Sequence, residues 1–364
     1  MWRFDWLTPQ RILFGGGRFA ELGALAAGYG RQACVVTGGR SLEASGRLEL
    51  LGRQFAQHHI QWLHLKIDHE PTVEAVDALA APAAEFHPHV VVAIGGGSAL
   101  DTGKAVAALL ANGGQTLDYL EGVGRGRTLA APALPVIAVP TTAGTGCEAT
   151  KNAVIGDRAR TFKKSMRSDG MLPAVALVDP ELTHDCPPQV TAACGMDAMA
   201  QLIESFTSRL ANPIGDALTR EGLTLVGALG RLEGAEDPRP LREALALAAL
   251  LGGVCLANVG LGAVHGLVAP LGAHHPVPHG AGCAALLPGV VRTNAHAAAA
   301  KGDELLPHKY GSALELLTGR PRPAGGAPAA ARALADWLAA LNRRLGLPGL
   351  GSYGVTREDF PRLV

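Results

Sequence analysis

The sequence predicts two domains, an α/β N-terminal domain with a parallel sheet and an all-α C-terminal domain. In the first half, short runs rich in β-branched residues alternate with longer Ala-rich runs, the pattern of a parallel sheet flanked by helices. After Pro180 the β-branched runs stop, and long Ala/Leu-rich stretches broken by Gly and Pro follow. With 364 residues, 48% of them apolar, the chain can bury two cores, which we place at residues 1–180 and 181–364.

The elements of the predicted sheet can be placed individually. Four apolar runs of strand length are bounded by turn residues, and they predict strands at residues 32–39, 89–97, 134–142 and 174–180. Two Ala-rich runs have apolar residues three and four positions apart, and they predict helices at residues 72–84 and 98–111. Each predicted helix lies between two predicted strands, as the crossover connections of a parallel sheet require.

One segment of the second domain has the composition of a membrane span. Residues 244–272 contain no Asp, Glu, Lys or Arg and are long enough to cross a bilayer. The segment also contains Asn258, His265, Pro270 and several glycines, and nothing similar occurs elsewhere in the chain. A helix that is apolar on all sides can also be the core of a large soluble protein, so we predict a pair of buried helices and no membrane partner.

Charge and cysteine content exclude further classes of partner and compartment. Lys and Arg together number 32, as do Asp and Glu, so no excess positive charge is available to bind a phosphate backbone and we predict no nucleic-acid partner. The six cysteines are scattered without a C-x-x-C pair, which favours a reducing compartment. The N-terminal residues lack the pattern of a signal peptide, so we expect a cytoplasmic protein.

A glycine-rich turn follows the predicted strand at residues 89–97. The run VVVAIGGGSALDTGK places three glycines and a serine between this strand and the next helix. Glycine allows the backbone to approach a phosphate, and a helix N-terminus offers unpaired N–H groups and the positive end of its dipole. Gly96, Gly97 and Ser98 are therefore candidate diphosphate contacts. Because the spacing is not G-x-G-x-x-G, the turn taken alone is equally consistent with an ordinary tight turn.

A second polar loop follows the next predicted strand. PTTAGTGCEAT, at residues 140–150, supplies Thr141, Thr142 and Thr145, whose hydroxyls can hydrogen-bond phosphate or ribose oxygens. An ordinary Thr-capped turn is the alternative. Ligands of open α/β sheets bind at the carboxyl ends of the strands, so two such loops on successive strands favour a bound nucleotide more than either loop does alone.

The predicted helical domain carries a candidate metal site. Asp197 and Gln201 are four residues apart in GMDAMAQLIESF and therefore share one helix face. His265 and His279 follow, separated by a segment rich in Gly and Pro. A carboxylate with two imidazoles suits a divalent transition metal that keeps an open coordination position. Any single residue among the 13 histidines is more often structural, so the prediction depends on these residues acting together.

Together these motifs resemble the iron-containing alcohol dehydrogenase superfamily, which includes glycerol dehydrogenases and maleylacetate reductases. Five motifs occur in the family's order across almost the whole chain, namely GGGSALDTGK, PTTAGTGCE, KKSMRSDGMLPAVALVDPELT, GMDAMAQLIESF and GLGAVHGLVAPLGAHHPVPHG. The resemblance implies an α/β dinucleotide-binding domain with a parallel sheet, a helical domain that binds metal and substrate, and catalysis in the cleft between them. It also implies a homodimer.

The resemblance implies roles for residues of the first domain. Those implied at the diphosphate, nicotinamide, ribose and adenine of the cofactor are Gly96, Gly97, Ser98, Asp101, Thr141, Thr142, Thr145, Lys163 and Leu182. Members that prefer NAD often carry an acidic residue after the first strand. At that place this chain has Gly38, Gly39, Arg40 and Ser41. Without a carboxylate to repel a 2′-phosphate, and with Arg40 and Ser41 able to bind one, the segment slightly favours NADP over NAD.

In the second domain the resemblance implies that Asp197, His265 and His279 bind iron or zinc, and that the two histidines belong to the catalytic centre. The family's second metal ligand is a histidine, and this chain has Gln201 in its place. A neutral Gln oxygen is a poorer ligand than imidazole for either metal. Glycerol dehydrogenases nevertheless bind zinc with only the other three ligands, so Gln201 does not exclude a metal.

Three functions are compatible with these residues. The first is hydride transfer between NAD(P) and a small alcohol or aldehyde, with the carbonyl polarised by a divalent metal. The second is a metal-free reductase of the maleylacetate reductase type, favoured by Gln201 and by Ala269, which stands where the family often has a proton-relay histidine. His274, His275 or water could replace that relay. The third is a nucleotide-binding protein without catalysis.

Overall fold

The computed structural model describes residues 2–232 and 234–363, which form two compact units. The sheet unit comprises Leu7–Thr142 and Gly146–Asp185. The helical unit comprises Ala143–Thr145, the residues from Cys186 onward and the N-terminal residues through Trp6. The predicted fold class, an α/β part with a parallel sheet followed by a helical part, is confirmed. The domain boundary between residues 180 and 181 stays a prediction.

The sheet unit contains a parallel six-stranded sheet and an antiparallel hairpin. Its strands are β1 Arg11–Phe14, β2 Gln32–Thr37, β3 Gln61–Lys66, β4 Val90–Gly95, β5 Val136–Pro140, β6 Asn152–Asp157, β7 Phe162–Arg167 and β8 Val175–Val178. The sheet has the order β1-β8-β5-β4-β2-β3, and β6 pairs with β7. The four predicted strands are β2, β4, β5 and β8. The two strands of the six-stranded sheet that the sequence did not predict are β1 and β3. They form the edges of the sheet, where partial exposure breaks the apolar run.

Six helices accompany these strands. They are α1 Leu22–Ala27, α2 Ser41–Ala44, α3 Arg47–Gln57, α4 Val73–Phe86, α5 Gly97–Asn112 and α6 Thr116–Tyr119. The two predicted helices are α4 and α5. Thr72 caps α4, its hydroxyl accepting a hydrogen bond from the backbone N–H of Ala75 at 3.2 Å. A Cβ atom on Gly103 would lie 2.5 Å from that of Ala93, so this glycine allows α5 to pack directly on β4.

The helical unit is built around one long buried helix. Its helices are α7 Pro188–Phe206, α8 Pro213–Val226, α9 Arg239–Val259, α10 Ala263–His274, α11 His279–Ala300, α12 Leu305–Thr318, α13 Gly326–Arg344 and α14 Phe360–Leu363. Nearly all of α7 from Gly195 onward is buried. The pair α9 and α10 covers the apolar segment at residues 244–272. By length and composition α9 could span a membrane, but half of its most apolar window is buried within the protein, with Leu245, Ala248 and Ala249 in the core.

Candidate metal centre and nucleotide-binding corner

Three helices of the helical unit bring the predicted carboxylate and imidazoles together. Asp197 lies on α7, His265 on α10, and His279 is the first residue of α11. Both imidazoles face one carboxylate oxygen, Asp197 Oδ1, which lies 3.3 Å from His265 Nε2 and 3.5 Å from His279 Nε2. Asp197 is only 2% exposed. The three side chains therefore form one cluster around the buried Asp197 carboxylate, which precedes His265 by 68 residues and His279 by 82 residues along the chain.

Glycine at one position makes this convergence possible. A Cβ atom on Gly280 would lie 2.3 Å from the backbone carbonyl oxygen of Ala193 on α7, and such an approach is open only to glycine. The start of α11 thus lies directly against α7, which places His279 beside Asp197. Prolines at 276 and 278 separate α10 from α11, since a proline disfavours helical backbone at the residue before it.

A fourth side chain that the sequence interpretation missed completes the cluster. Cys283 lies one turn after His279 on α11, and its Sγ is 3.8 Å from the Nε2 atoms of both His265 and His279. Its side chain is fully buried. The ligand atoms of Asp197, His265, His279 and Cys283 all lie within 4.8 Å of one another. The spacing of four residues from His279 was the signal that could have identified it.

A second missed residue fixes the orientation of His265. Glu204 Oε2 accepts a hydrogen bond from His265 Nδ1 at 2.6 Å, and its Oε1 accepts one from the backbone N–H of Val264 at 2.7 Å. Glu204 is seven residues after Asp197 and therefore lies on the same face of α7. Since Nδ1 is occupied by Glu204, Nε2 is the nitrogen that faces the cluster. A carboxylate behind a histidine is the usual outer partner of a metal-binding imidazole.

Burial and mutual attraction set the charges of the cluster. Burial alone would raise the pKa of the Asp197 carboxyl, but attraction to His279 and hydrogen bonds from both histidines outweigh it and lower that pKa. Burial would likewise lower the pKa of His279, but Cys283 and Asp197 raise it to about 10. The same balance raises the pKa of His265. The metal-free imidazoles thus hold protons beside the carboxylate, and a divalent cation would displace those protons on binding.

Gln201, the other predicted ligand, uses its side-chain amide in a hydrogen bond. Its Nε2 donates a hydrogen bond to the backbone oxygen of Thr145 at 3.1 Å, and its Oε1 is buried with no hydrogen-bond partner among the described residues. That oxygen faces α9, 3.3 Å from where a Cβ atom on Gly252 would lie. Neither histidine considered as a relay joins the cluster in a visible contact. His275 pairs with Asp359 at 3.5 Å, and His274 is exposed.

The donor set fits a divalent transition metal. It offers a carboxylate, two imidazoles and a thiol within a few ångströms, and each of these groups binds zinc. Asp197, His265 and His279, the three residues predicted as ligands, lie together here and would hold the ion, and Cys283 lies within 4.8 Å of their ligand atoms. Gln201 Oε1 has no hydrogen-bond partner among the described residues, and a role for Gln201 as a metal ligand stays a prediction.

The glycine corner of the sheet unit is formed by backbone. Gly95 ends β4 with φ of +153°, and a Cβ atom there would lie 2.7 Å from that of Ala99. Gly96 precedes α5, and no side chain of the described residues caps the first N–H groups of that helix. Gly96 also adjoins the threonine loop, the polar segment at residues 140–150, since a Cβ atom on Gly96 would lie 3.5 Å from Thr142 Oγ1. Exposed N–H groups at a glycine-lined helix start can bind phosphate.

The end of β2 lies beside this corner. The backbone N–H of Gly38 donates to the carbonyl oxygen of Ile94 at 3.3 Å, and a Cβ atom on Gly38 or Gly39 would meet nothing within 4 Å in the described part of the chain. Arg40 and Ser41 are exposed. The structure therefore brings residues 38–41, 96–98 and 141–142 to one edge of the sheet, at the carboxyl ends of β2, β4 and β5.

Three residues predicted for the cofactor are engaged elsewhere in the sheet unit. The Asp101 carboxylate accepts a hydrogen bond from the backbone N–H of Val154 at 3.0 Å. Lys163 Nζ lies 2.9 Å from Glu70 Oε1. Leu182 is 5% exposed and packs in the core. Their roles toward a cofactor stay predictions, as does that of Thr145, which belongs to the helical unit.

Comparison with known proteins defines the class of this protein. Residues 9–180 match the family described as iron-containing alcohol dehydrogenase, and residues 191–364 match the C-terminal part of the Fe-containing alcohol dehydrogenase family. These matches define an oxidoreductase of the alcohol dehydrogenase kind. The chain belongs to the iron-containing alcohol dehydrogenase family, and the resemblance inferred from its motifs is confirmed.

Individual relatives match over nearly the whole chain. It is 30% identical over 363 residues to the NAD-dependent methanol dehydrogenase of Bacillus methanolicus, covering 99% of this chain and 92% of the relative. It is 32% identical over 361 residues to the sulfoacetaldehyde reductase of Bilophila wadsworthia, covering 97% and 89%. The solved structure of a sulfoacetaldehyde reductase from Bifidobacterium kashiwanohense in complex with NAD+ is similar with a TM-score of 0.83 at 29% identity, covering 100% of this chain and 92% of that one.

Proposed function

We propose that this protein transfers a hydride between a nicotinamide dinucleotide and a small alcohol or aldehyde, with a divalent metal held by Asp197, His265 and His279. The observation that carries the proposal is the convergence of two imidazoles on the buried Asp197 carboxylate, with the three side chains coming from three helices. Relatives that act on methanol and sulfoacetaldehyde support the substrate class, although neither substrate is assigned to this chain.

The chain's own residues have separate tasks in this proposal. The glycine corner at residues 95–98 binds the cofactor diphosphate through backbone N–H groups, and the threonine loop adds hydroxyl donors. Glu204 holds His265 with its Nε2 toward the cluster. Helix packing around Asp197 keeps water from the carboxylate, which is 2% exposed, while the side chain of His279 is 31% exposed. A divalent metal bound there supplies Lewis-acid polarisation of the substrate carbonyl.

Two observations bear on the choice of cofactor. A relative named for NAD and a solved NAD+ complex of another relative support NAD. Residues 38–41 contain no carboxylate, and the exposed Arg40 and Ser41 could bind a 2′-phosphate, which supports NADP. The ratio of kcat/KM for NADPH and NADH with the same aldehyde decides between them. A homodimer remains part of the proposal on the basis of the family, and a cytoplasmic location on the basis of the scattered cysteines.

Removal of the central carboxylate tests the function. We expect Asp197→Ala to lose bound metal and to reduce kcat/KM for short aldehydes at least about 1,000-fold, because Lewis-acid polarisation contributes several kcal/mol and each 1.36 kcal/mol is a factor of ten. The measurements are NAD(P)H oxidation over a panel of short aldehydes and elemental analysis of protein purified without chelator. Dinucleotide binding, followed by cofactor fluorescence, should be unchanged.

A matched variant controls for the loss of a carboxylate in the helical unit. Asp336→Ala removes an exposed side chain that pairs with Arg292, and it should retain both metal and activity. Unaltered activity of Asp197→Ala would refute the proposal. Cofactor binding without turnover of any aldehyde by the wild-type protein would favour a nucleotide-binding protein without catalysis.

One observation favours a metal-free reductase as the second candidate. Gln201 replaces the family's second ligand, and its amide nitrogen is committed to Thr145. In that case His265 and His279 would bind or protonate an acidic substrate instead of a metal. Full activity of wild-type protein shown by elemental analysis to contain no divalent metal would support this function over the metal-dependent one.

A further inference from the structure

We infer that the thiolate of Cys283 is the fourth protein ligand of the metal, so that the centre binds the ion through one oxygen, two nitrogens and one sulfur. The inference deepens the proposed function and rests on it, because it concerns the same centre. Neither the sequence motifs nor the family pattern assigns a role to this cysteine.

The distances within the cluster match the edges of a zinc tetrahedron. Zinc binds nitrogen and carboxylate oxygen at about 2.0–2.2 Å and thiolate sulfur at about 2.3 Å, so tetrahedral angles give N–O edges of about 3.3–3.5 Å and N–S edges of about 3.6 Å. The Asp197 oxygen lies 3.3 and 3.5 Å from the two histidine nitrogens. Cys283 Sγ lies 3.8 Å from each of the same nitrogens. Four of the six edges therefore lie within a few tenths of an ångström of those of a zinc site, and all four ligand atoms lie within 4.8 Å of one another.

Helix geometry places the sulfur at this position. His279 and Cys283 are four residues apart on α11 and share the face that lies against α7 and α10. Gly282, between them, allows that approach, since a Cβ atom there would lie 2.6 Å from Val268 Cγ2 on α10. Gln201, by contrast, directs its amide nitrogen to Thr145 and its oxygen to α9. In this chain the Cys283 thiol supplies a donor that, in other family members, comes from the histidine that is the second metal ligand.

The surroundings of Cys283 favour a thiolate ligand. Cys283 is buried with its sulfur beside the Nε2 atoms of both histidines, and a divalent ion bound there would deprotonate a coordinating thiol outright. Thiolate is a soft donor that selects zinc over harder divalent ions such as magnesium.

X-ray absorption at the zinc edge tests the inference on the full-length protein loaded with zinc. We expect one sulfur scatterer at about 2.3 Å together with nitrogen and oxygen scatterers at about 2.0–2.2 Å. Cobalt(II) loading should give the near-ultraviolet charge-transfer band of a thiolate ligand. Cys283→Ala should remove the sulfur signal and the band, and lower zinc affinity at least about 100-fold, since loss of an outer partner alone costs 10–100-fold.

Two further variants make the result specific. Cys255→Ala removes another fully buried cysteine of the helical unit and should keep the sulfur signal and the zinc affinity of the wild type. The double variant Gln201→His/Cys283→Ala restores an imidazole on the face of α7 that carries Asp197, and it should regain zinc affinity without a sulfur scatterer.

The outcomes separate this inference from the proposed function. Zinc bound without a sulfur scatterer, and with unchanged affinity in Cys283→Ala, overturns the inference and leaves the metal-dependent function in place. Zinc bound through sulfur in a protein that turns over no aldehyde supports the inference and overturns the function. A wild-type protein that binds neither zinc nor cobalt overturns both. Because the wild-type spectrum needs no variant, misfolding of Cys283→Ala would not prevent the test.

Discussion

Each unit of this protein contains a buried charge cluster, and the two clusters differ in the source of their positive charge. In the sheet unit, Lys104 is fully buried, and its Nζ lies 3.1 Å from Asp101 Oδ1. The same nitrogen donates hydrogen bonds to the carbonyl oxygen of Cys147 at 3.0 Å and to Thr150 Oγ1 at 2.9 Å. The charge of Lys104 also acts on the buried Glu148.

The helical unit has no such built-in cation at its cluster. Within residues 2–232 and 234–363, no Lys or Arg forms an ion pair with Asp197 or Glu204, and their charged partners are His265 and His279. An imidazole can exchange its proton for a metal, whereas a lysine bound by carbonyl and hydroxyl oxygens is already satisfied. The comparison teaches that a lysine-centred cluster stabilises the fold, and that an imidazole-centred one is available for a metal.

The largest effect on stability is expected from Lys104→Met. The substitution leaves Asp101 and Glu148 buried without their cation, and breaking a buried ion pair from one side costs about 3–5 kcal/mol. The free energy of unfolding, measured by urea denaturation, should fall by that amount. Zinc affinity of the folded variant should be unchanged, because the metal centre belongs to the other unit.

Two companion variants of Lys104→Met sharpen the comparison. Lys151→Met removes a lysine of the same unit whose partner Asp169 is 70% exposed, and such pairs contribute at most about 1 kcal/mol. Adding Asp101→Asn to Lys104→Met should recover part of the lost stability, since it removes the uncompensated charge. A loss below about 1 kcal/mol in Lys104→Met would contradict a structural role for this cluster.

Glu148 gives the sheet cluster a pH dependence. Burial raises the pKa of the Glu148 carboxyl from 4.5 to about 7, with Lys104 opposing part of the rise. The folded protein thus keeps this proton up to about pH 7, whereas the unfolded chain releases it near pH 4.5. The stability that proton binding contributes is present below pH 4.5 and is lost as the pH rises to about 7.

Glu148→Gln tests that dependence, because glutamine stays neutral at every pH. The free energy of unfolding of the variant, relative to that of the wild type, should increase by about 3 kcal/mol between pH 4.5 and pH 8. Denaturation of both proteins across this range measures the difference, in which all other titrating groups cancel. Glu121→Gln, at an exposed position of the same unit, should show no such increase. A constant difference for Glu148→Gln would show that its pKa is ordinary.

How much the sequence predicted depends on how local each feature is. The glycine corner lies in one continuous run from β4 into α5, and the glycines, the strand and the helix could all be predicted from neighbouring residues. The hairpin of β6 and β7 was not predicted, because its strands are only partly buried and carry charged residues. The edge strands β1 and β3 were missed for a similar reason.

The metal cluster depends on contacts that no local pattern encodes. Asp197, His265 and His279 were proposed from their residue types and then from the family's motif order, since nothing in the residue spacing alone joins α7 to α10. Cys283 lies beyond the last motif, and Glu204 lies within GMDAMAQLIESF without an assigned role, although each shares a helix face with a predicted ligand. The participation of Cys283 depends on the close approach of α11 to α7 at Gly280, and that of Glu204 on its contacts with the start of α10, and only coordinates could establish either.

The smallest of these effects is expected from Glu204→Gln, which changes the cluster without removing a ligand. Glutamine can still accept the hydrogen bond from His265 Nδ1, but it loses the charge that increases the basicity of the imidazole and can rotate its amide. Zinc affinity should fall by about 10–100-fold, the range found when the outer partner of a metal-binding histidine is replaced. Competitive titration against a zinc-binding dye measures the change.

A matched variant and a second readout distinguish positioning from general destabilisation. Glu315→Gln removes the charge of a carboxylate in the same unit that pairs with Arg322, and it should leave zinc affinity unchanged. With a chelator present, the free energies of unfolding of Glu204→Gln and of the wild type should differ little. With zinc bound, they should differ more, because the variant binds zinc less tightly. Equal zinc affinity in Glu204→Gln and the wild type would mean that helix packing alone orients His265. The arrangement of the helical cluster would then depend less on its charges than the arrangement of the lysine-centred cluster in the sheet unit does.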